Sequence, residues 1–136
     1  MSNLLVQNIK HTNNTTAVEI NSSAQMTVKG EGSATTNLQQ GLSKVWSLCT
    51  ADGTTVRDSF NVSGIADTAT GKQTISYTNP FNNEYYCANL SNTGGSTKFL
   101  GVTSPAAGSM IAFGFNADDS GFSDSQIAAS IKGDLA

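Results

Sequence analysis

The side chains best suited to catalysis are scarce in this sequence. It holds one histidine, His11, and two cysteines, Cys49 and Cys87. A Ser-His-Asp triad needs a buried and oriented histidine, whereas His11 stands in a polar stretch typical of a turn. A structural zinc site needs about four His or Cys ligands, more than the chain contains. We therefore expect no catalytic residues, no zinc and no cofactor, and we interpret His11 as a solvated turn residue.

A second group of polar side chains offers oxygen ligands. Asp118, Asp119 and Asp124 are close in sequence to Ser120 and Gly121, and calcium prefers hard oxygen ligands of this kind. The spacing departs from the EF-hand pattern, however, because no bidentate Glu follows the glycine. We favour a solvated loop without a metal, and calcium binding is the alternative.

The two cysteines lie within predicted strands. The expected state is reduced, with both side chains buried as small hydrophobic groups. A disulfide between Cys49 and Cys87 is the alternative if their strands pair.

Composition limits the possible partners. Only 12% of the residues are charged, the formal net charge is −3, and Ser, Thr and Asn together number 46 of 136 residues. A nucleic-acid-binding protein is expected to carry a basic surface, which one arginine and six scattered lysines do not make. No apolar run approaches the length of a membrane span. We expect no nucleic-acid partner and no membrane partner.

Short alternating runs dominate the chain, and alternation with period two is typical of half-buried β-strands. Residues 1–40 contain strand candidates at 4–9, 16–20 and 25–29, then a flexible linker over 30–36. This segment has few large apolar side chains and would be marginal alone. We interpret it as an N-terminal β arm that needs another surface to cover it.

Residues 41–136 are predicted to form the main body. Its strand candidates are 44–49, 56–63, 73–78, 84–90, 97–103, 110–116 and 126–132. Even spacing and turn signals such as Asp52-Gly53 favour a sandwich or barrel over other all-β folds. A single helical turn is the most that 36–43 could form. The predicted fold is therefore all-β, with a small antiparallel sandwich or jelly-roll-like body.

Most aromatic side chains are assigned to the core, with stacking on sugars as the alternative. Phe113 and Phe115 share a strand face with Ile111, as core residues do. Tyr85 and Tyr86 are adjacent, so one of them should face solvent or an interface. Phe81 and Phe99 are also assigned to the core. Trp46 is interpreted as a core or subunit-seam anchor.

Two charged neighbours, Arg57 and Asp58, stand in one predicted strand. An exposed ion pair on an edge strand, worth about 0.2–1 kcal/mol, is one interpretation. A salt bridge between subunits at a trimer axis or seam is the other, and the sequence leaves both open.

Several segments resemble short virion surface proteins of tailed phages from marine and fresh water. Their opening strands are similar to Leu4-Leu5-Val6-Gln7-Asn8-Ile9-Lys10, followed by Asn14-Thr15-Thr16-Ala17-Val18-Glu19-Ile20-Asn21-Ser22-Ser23. Their next module is similar to the stretch that runs from Gly41-Leu42-Ser43-Lys44-Val45-Trp46 through Arg57-Asp58-Ser59-Phe60-Asn61-Val62-Ser63-Gly64-Ile65. Their closing strand is similar to Ile131-Lys132-Gly133-Asp134-Leu135-Ala136. Together these segments cover about half of the chain.

The resemblance implies a non-enzymatic protein on the phage particle, assembled in the host cytoplasm. Such proteins are capsid decoration (cement) proteins, head fibres or tail fibres, and are often trimeric. We expect a homotrimer that binds the major capsid protein or another virion protein, with a host glycan as a further partner. The residues expected at the capsid or at the subunit seam are Leu4, Leu5, Val6, Ile9, Val18, Ile20, Trp46, Arg57 and Asp58.

The alternative function is a short fibre that binds a host receptor or glycan. Its binding surface would be the loops at 91–96 and 117–124. An enzyme such as a polysaccharide depolymerase would require paired carboxylates in a groove. The few acidic residues stand mostly in predicted turns, so we do not expect an enzyme.

Overall fold

The chain forms two compact units, 1–42 and 43–136. The structure, a computed structural model, describes residues 7–10, 16–20, 22, 24–29, 35–95, 97–118 and 120–136. We call residues 1–42 the N-terminal unit and residues 43–136 the C-terminal unit, and describe each by itself. The sequence-based division was placed at residues 40 and 41, and the docking role given to residues 1–40 remains a prediction.

Where the structure describes it, the N-terminal unit forms one four-stranded antiparallel sheet. Its strands are β1 (Asn8–Lys10), β2 (Thr16–Ile20), β3 (Met26–Lys29) and β4 (Thr35–Asn37), in the order β1-β2-β3-β4. One helical turn, α1 (Leu38–Gly41), follows. The predicted linker is wrong at Thr35 and Thr36, which pair with Lys29 and Val28. Thr suits strands, and the extended partner β3 is available. Residues 30–34 lie outside the described residues.

The described residues of the C-terminal unit form eight strands in two four-stranded sheets. They are β5 (Val45–Cys49), β6 (Val56–Phe60), β7 (Val62–Ala69), β8 (Lys72–Tyr77), β9 (Cys87–Asn92), β10 (Lys98–Ala106), β11 (Ser109–Asn116) and β12 (Ile127–Lys132). The front sheet has the order β6-β5-β12-β9, and the back sheet has the order β10-β11-β8-β7. All pairings between these strands are antiparallel. The expected all-β, antiparallel fold is confirmed.

One hydrophobic core joins the inner faces of the two sheets. The front sheet supplies residues of β5 and β12, the back sheet supplies residues of β8 and β11, and the loop after β8 adds one phenylalanine. The buried members are Val45, Cys49, Ile75, Tyr77, Phe81, Met110, Ala112, Ile127, Ala129 and Ile131. This shared core makes the unit a two-layer sandwich.

Asn61 divides the strand predicted over 56–63. Its φ of 59° lies in the left-handed region, which ends β6 at Phe60 and starts β7 at Val62. The side chain secures the turn, since Asn61 Oδ1 accepts from Asn79 N at 2.7 Å and Nδ2 donates to Lys44 O at 3.1 Å.

Two other predicted boundaries are wrong. The strand predicted over 97–103 is too short, because β10 continues to Ala106 through an irregularity at Ser104, whose φ is 48°. The strand predicted over 84–90 begins only at Cys87, so Tyr85 and Tyr86 precede β9.

The two cysteines are both free. Cys49 is buried as expected, but the expectation that Cys87 is buried is wrong. Cys87 begins the edge strand β9 on its outward-facing side, whereas Ala88 turns inward.

Candidate functional site

The sheet of the N-terminal unit has one apolar face. Ile9 pairs with Val18, and Val18 pairs with Val28, so these side chains form a row across three strands. Ile20 and Met26 are also partners and share that face. Ile9 is 57% exposed, Ile20 37% and Met26 36%. Large apolar side chains on this face therefore remain accessible to solvent.

The opposite face of the same sheet is polar. Asn8 pairs with Glu19, and Glu19 pairs with Thr27, which forms a second row between the apolar positions. A sheet with one apolar face gains free energy by packing that face on another layer. Three of the predicted contact residues, Ile9, Val18 and Ile20, lie together on this face. Leu4, Leu5 and Val6 lie outside the described residues.

The front sheet of the sandwich carries an aromatic pair on its outer face. Trp46 and Phe60 are direct register partners on β5 and β6. They are 38% and 54% exposed, while Val45 next to Trp46 is fully buried. Because neighbouring side chains on a strand face opposite ways, Trp46 points outward, and the interpretation of Trp46 as a core anchor is wrong. A subunit-seam role remains a prediction.

Arg57 and Asp58 stand on β6, an edge strand beside this aromatic pair. Leu48 pairs with Asp58 and Cys49 with Val56, so Arg57 is the extra residue of a β-bulge. Both charged side chains are exposed, and Asp58 Oδ1 accepts a hydrogen bond from Ser59 N at 2.9 Å. The structure thus places three predicted residues, Trp46, Arg57 and Asp58, on two adjacent strands, and both interpretations of the charged pair stay predictions.

The back sheet carries a larger aromatic surface, which sequence reasoning placed in the core. On β11 the buried positions are Met110, Ala112 and Gly114, so Phe113 and Phe115 face outward and are only half-buried. The assignment of these two phenylalanines to the core is wrong, because Met110, Ala112 and Gly114 take the inward-facing positions of β11. Phe99 pairs with Phe115 on the same outer face and is 64% exposed.

The loop at 117–124 completes this surface with a residue the sequence analysis did not consider. Phe122 packs edge-on against Phe113 and Phe115, with ring centroids 5.7 and 5.2 Å apart. Lys72 Nζ lies 4.4 Å from the centroid of the Phe122 ring, which is a cation–π contact. We call Phe99, Phe113, Phe115 and Phe122 the aromatic surface. No local sequence pattern indicates that Phe122 folds back onto β11.

A glycine and a carboxylate hold the loop in place. Gly71 has a φ of 68°, and its N–H donates to Asp124 Oδ1 at 2.7 Å. A Cβ at Gly71 would lie 2.5 Å from Ser123 N, so a larger residue does not fit. Asp124, considered above as a calcium ligand, uses its carboxylate to anchor this turn.

Burial or hydrogen bonding shifts the pKa of several titratable groups among the described residues. Burial raises the pKa of the Cys49 thiol, which disfavours the reactive thiolate. Burial, followed by the neighbouring Tyr86, raises the pKa of Tyr77, whose hydroxyl has no hydrogen-bond partner. The hydroxyl of Ser120 lowers the pKa of Asp118, in the manner of an ordinary turn. His11 lies outside the described residues.

Two further features concern metal binding and membrane crossing. In the part of the chain that the structure describes, no three His, Cys, Asp or Glu side chains form a group that could hold a metal ion. Nor does any helix there have the length and apolar character needed to cross a membrane.

Of the adjacent residues Tyr85 and Tyr86, one faces solvent and the other packs inward, as expected. Tyr85 is 84% exposed, whereas Tyr86 packs against the core and donates from its hydroxyl to Ser109 O at 3.0 Å. Phe81 is 2% exposed and belongs to the core as expected. Phe99 does not, so its core assignment is wrong.

Comparison with known proteins adds no relative. No protein-family model matches the chain, and neither the curated proteins nor the solved structures contain a match. Functional inference therefore depends on the exposed surfaces described above and on the resemblance of the sequence segments.

Proposed function

We propose that the protein is a non-enzymatic structural component of a bacteriophage virion, a homotrimeric capsid decoration protein that bridges and stabilises capsid subunits. The observation that carries the proposal is the exposed apolar face of the N-terminal sheet, on which Ile9, Ile20 and Met26 are accessible to solvent. Solvent-exposed apolar groups concentrated on one face are typical of a surface that binds another protein.

The proposed mechanism is stabilisation by mass action. A protein that binds only the assembled shell shifts the equilibrium toward that shell. The shift grows with the ratio of the protein's free concentration to its dissociation constant for the shell. Burial of Ile9, Val18 and Ile20 against a capsid neighbour supplies the free energy. The Trp46–Phe60 pair provides a second apolar contact, directed at another copy or at the shell.

Binding to phage particles that lack the protein tests this proposal. We expect Ile9→Ser and Ile20→Ser each to weaken binding about tenfold, because a fully buried Ile side chain contributes roughly 1.5–3 kcal/mol. Ala17→Ser is the matched control, since Ala17 is exposed on the opposite face of β2. Unchanged binding by both isoleucine variants would remove the proposed docking face.

The copy number on the particle separates decoration from the alternative. Labelled protein should cover the shell in many copies if it decorates the capsid. A few copies at one vertex would indicate a fibre.

The alternative function is a short fibre protein that binds a host glycan or receptor. The aromatic surface favours it, because Phe99 and Phe122 are 64% and 44% exposed and present rings to solvent beside Lys72. A glycan array tests this alternative. Glycan binding that is lost in Phe99→Ala but kept in Tyr85→Ala would support the fibre and contradict a purely structural role.

A further inference from the structure

The two sheets of the sandwich end in four edge strands, β6 and β9 in the front sheet and β7 and β10 in the back sheet. The outer side of an edge strand presents main-chain N–H and C=O groups with which a further strand can pair. Proteins protect such edges with β-bulges, charged side chains or proline. The four edges of this sandwich differ in these protecting features.

Three of the four edges are protected in several ways. β6 has a bulge at the exposed Arg57 and a second exposed charge at Asp58. β7 is interrupted by two register shifts and carries the exposed Asp67. β10 contains Lys98 and Pro105, and its register with β11 shifts near its end. Each of these strands is therefore a poor template for a further strand.

The fourth edge, β9, has none of these features. Its residues, Cys87–Asn92, include no charged residue and no proline. All six of them pair with β12 in unbroken register, so the strand contains no bulge. Among the four edges, β9 is thus the regular and uncharged one, which is the kind that accepts a partner strand.

The flank beside β9 has room for another strand. A cleft of about 340 Å³ lies there, between residues of β9 and residues of β10. Ala88 and Leu90 of β9 line the cleft, and both are half-buried against the core. Their side chains lose further contact with water when a strand is added beside β9, which favours the addition.

A second copy of β9 is the partner that this edge fits. Two identical strands can pair antiparallel about a two-fold axis, and each then supplies the same main-chain groups to the other. Because β9 carries no charge, this pairing places no like charges opposite each other. The other three edges of a second copy fit less well, since they are bulged and charged.

We infer that β9 pairs antiparallel with β9 of a second copy, so that the two front sheets form one continuous eight-stranded sheet. Paired residues lie on the same face of a sheet, so one residue of β9 must meet itself at the axis. The central residues Asn89 and Leu90 give the longest overlap. In either register Asn89 lies opposite Asn89 or Ser91 of the second copy.

This contact goes beyond the proposed decoration protein. It has two-fold symmetry, whereas the proposed trimer needs a three-fold contact, so the two associations are independent. Where both exist, paired β9 strands join two trimers into a complex of six chains.

Charges placed on the exposed face of β9 test the pairing. The lysine variant carries Asn89→Lys with Ser91→Lys, and the glutamate variant carries Asn89→Glu with Ser91→Glu, all at exposed positions. Like charges then lie opposite each other near the axis in either register, so each variant alone should sediment with half the mass of the unaltered protein. An equimolar mixture should regain the full mass, because opposite charges then face each other. Misfolded variants would not recover on mixing.

The matched control places the same charges on a different edge. Ala66→Lys with Thr68→Lys changes two exposed residues of β7 with the same spacing. This variant should keep the mass of the unaltered protein. A control that also loses half its mass, or a mixture of the β9 variants that stays at half mass, overturns the inference.

The mass of the unaltered protein, in multiples of the 14.1 kDa chain, separates this inference from the proposed function. Six chains that become three in each β9 variant support the pairing and the trimer together. Two chains that become one support the pairing and contradict the trimer. A single chain contradicts both, whereas three chains in the unaltered protein overturn the pairing and leave the decoration protein as proposed.

Discussion

The ring of Phe113 on β11 lies against Gly101 of the neighbouring strand β10, in the space where any other residue would carry its side chain. The two residues are register partners on the outer face of the back sheet. An aromatic ring that covers a strand glycine shields the backbone and compensates for the missing side chain. This contact holds Phe113 where Phe122 can pack against it.

Replacement of Gly101 should therefore destabilise the protein. In Gly101→Ala the new methyl group displaces the Phe113 ring from its contact with Phe122, and we expect a loss of about 1 kcal/mol in the free energy of unfolding. Urea denaturation measures this loss. Gly64→Ala is the control, because Gly64 is also a strand glycine but has open space at its Cβ position. Equal stability of the two variants would contradict the role of the ring.

Asn61 should be sensitive to substitution for two separable reasons. Asn61→Gly keeps the left-handed backbone accessible but removes the hydrogen bonds to Asn79 N and Lys44 O, a loss of about 1–3 kcal/mol. Asn61→Ala also strains a φ of 59° and should lose roughly 1 kcal/mol more. Thermal or urea unfolding orders the variants. An alanine variant as stable as the glycine variant would show that the backbone at residue 61 is not constrained. Asn89→Ala, at an exposed position, serves as the neutral control.

Two turn carboxylates predict a dependence of stability on acid. Hydrogen bonds from Thr50 and from Ser120 lower the pKa of Asp52 and of Asp118 from an ordinary value of 3.8. A carboxylate whose pKa is lower in the folded state contributes stability above its unfolded pKa, and that contribution is lost as the pH falls through the folded value. Between about pH 5 and pH 2 the unaltered protein should therefore lose more stability than an Asp52→Asn, Asp118→Asn double variant. Parallel losses in the two proteins would contradict the assignment.

The two thiols should differ in reactivity. Cys87 is exposed, whereas Cys49 is buried and has a raised pKa, so only Cys87 presents an accessible thiol. In the native protein a thiol reagent should modify one cysteine per chain, and in denaturant it should modify two. Mass spectrometry identifies the modified residue. Rapid modification of Cys49 in the native protein would contradict its place in the core, and Cys87→Ser, which removes the fast reaction, is the control.

Sequence reasoning identified most strands because alternation and turn residues are local signals. The strands at Val45–Cys49, Ser109–Asn116 and Ile127–Lys132 lie within about a residue of their predicted ranges. Boundaries were missed where one residue adopts an uncommon backbone conformation, at Asn61 and at Ser104. Such conformations depend on hydrogen bonds with distant residues, such as Asn79, that no local pattern records.

The candidate surfaces were only partly predictable for a similar reason. Ile9, Val18 and Ile20 were expected to make contacts because the short N-terminal strands cannot cover their own apolar side chains. Exposure of Phe99, Phe113 and Phe115 was expected only as the alternative to core packing, and Phe122 was not considered. The aromatic surface requires Phe122 to return from a loop to β11.

The sequence by itself determined that this chain forms antiparallel sheets, because its apolar and polar residues alternate with the period of a strand. It did not determine which face of a strand points inward. On β11 alternation permits either the phenylalanine face or the face of Met110, Ala112 and Gly114, and only the second is buried. The tertiary structure decided this, because Ser125 packs so close to Gly114 that no side chain fits there. The large rings of Phe113 and Phe115 are thus left on the outer surface, against Phe122.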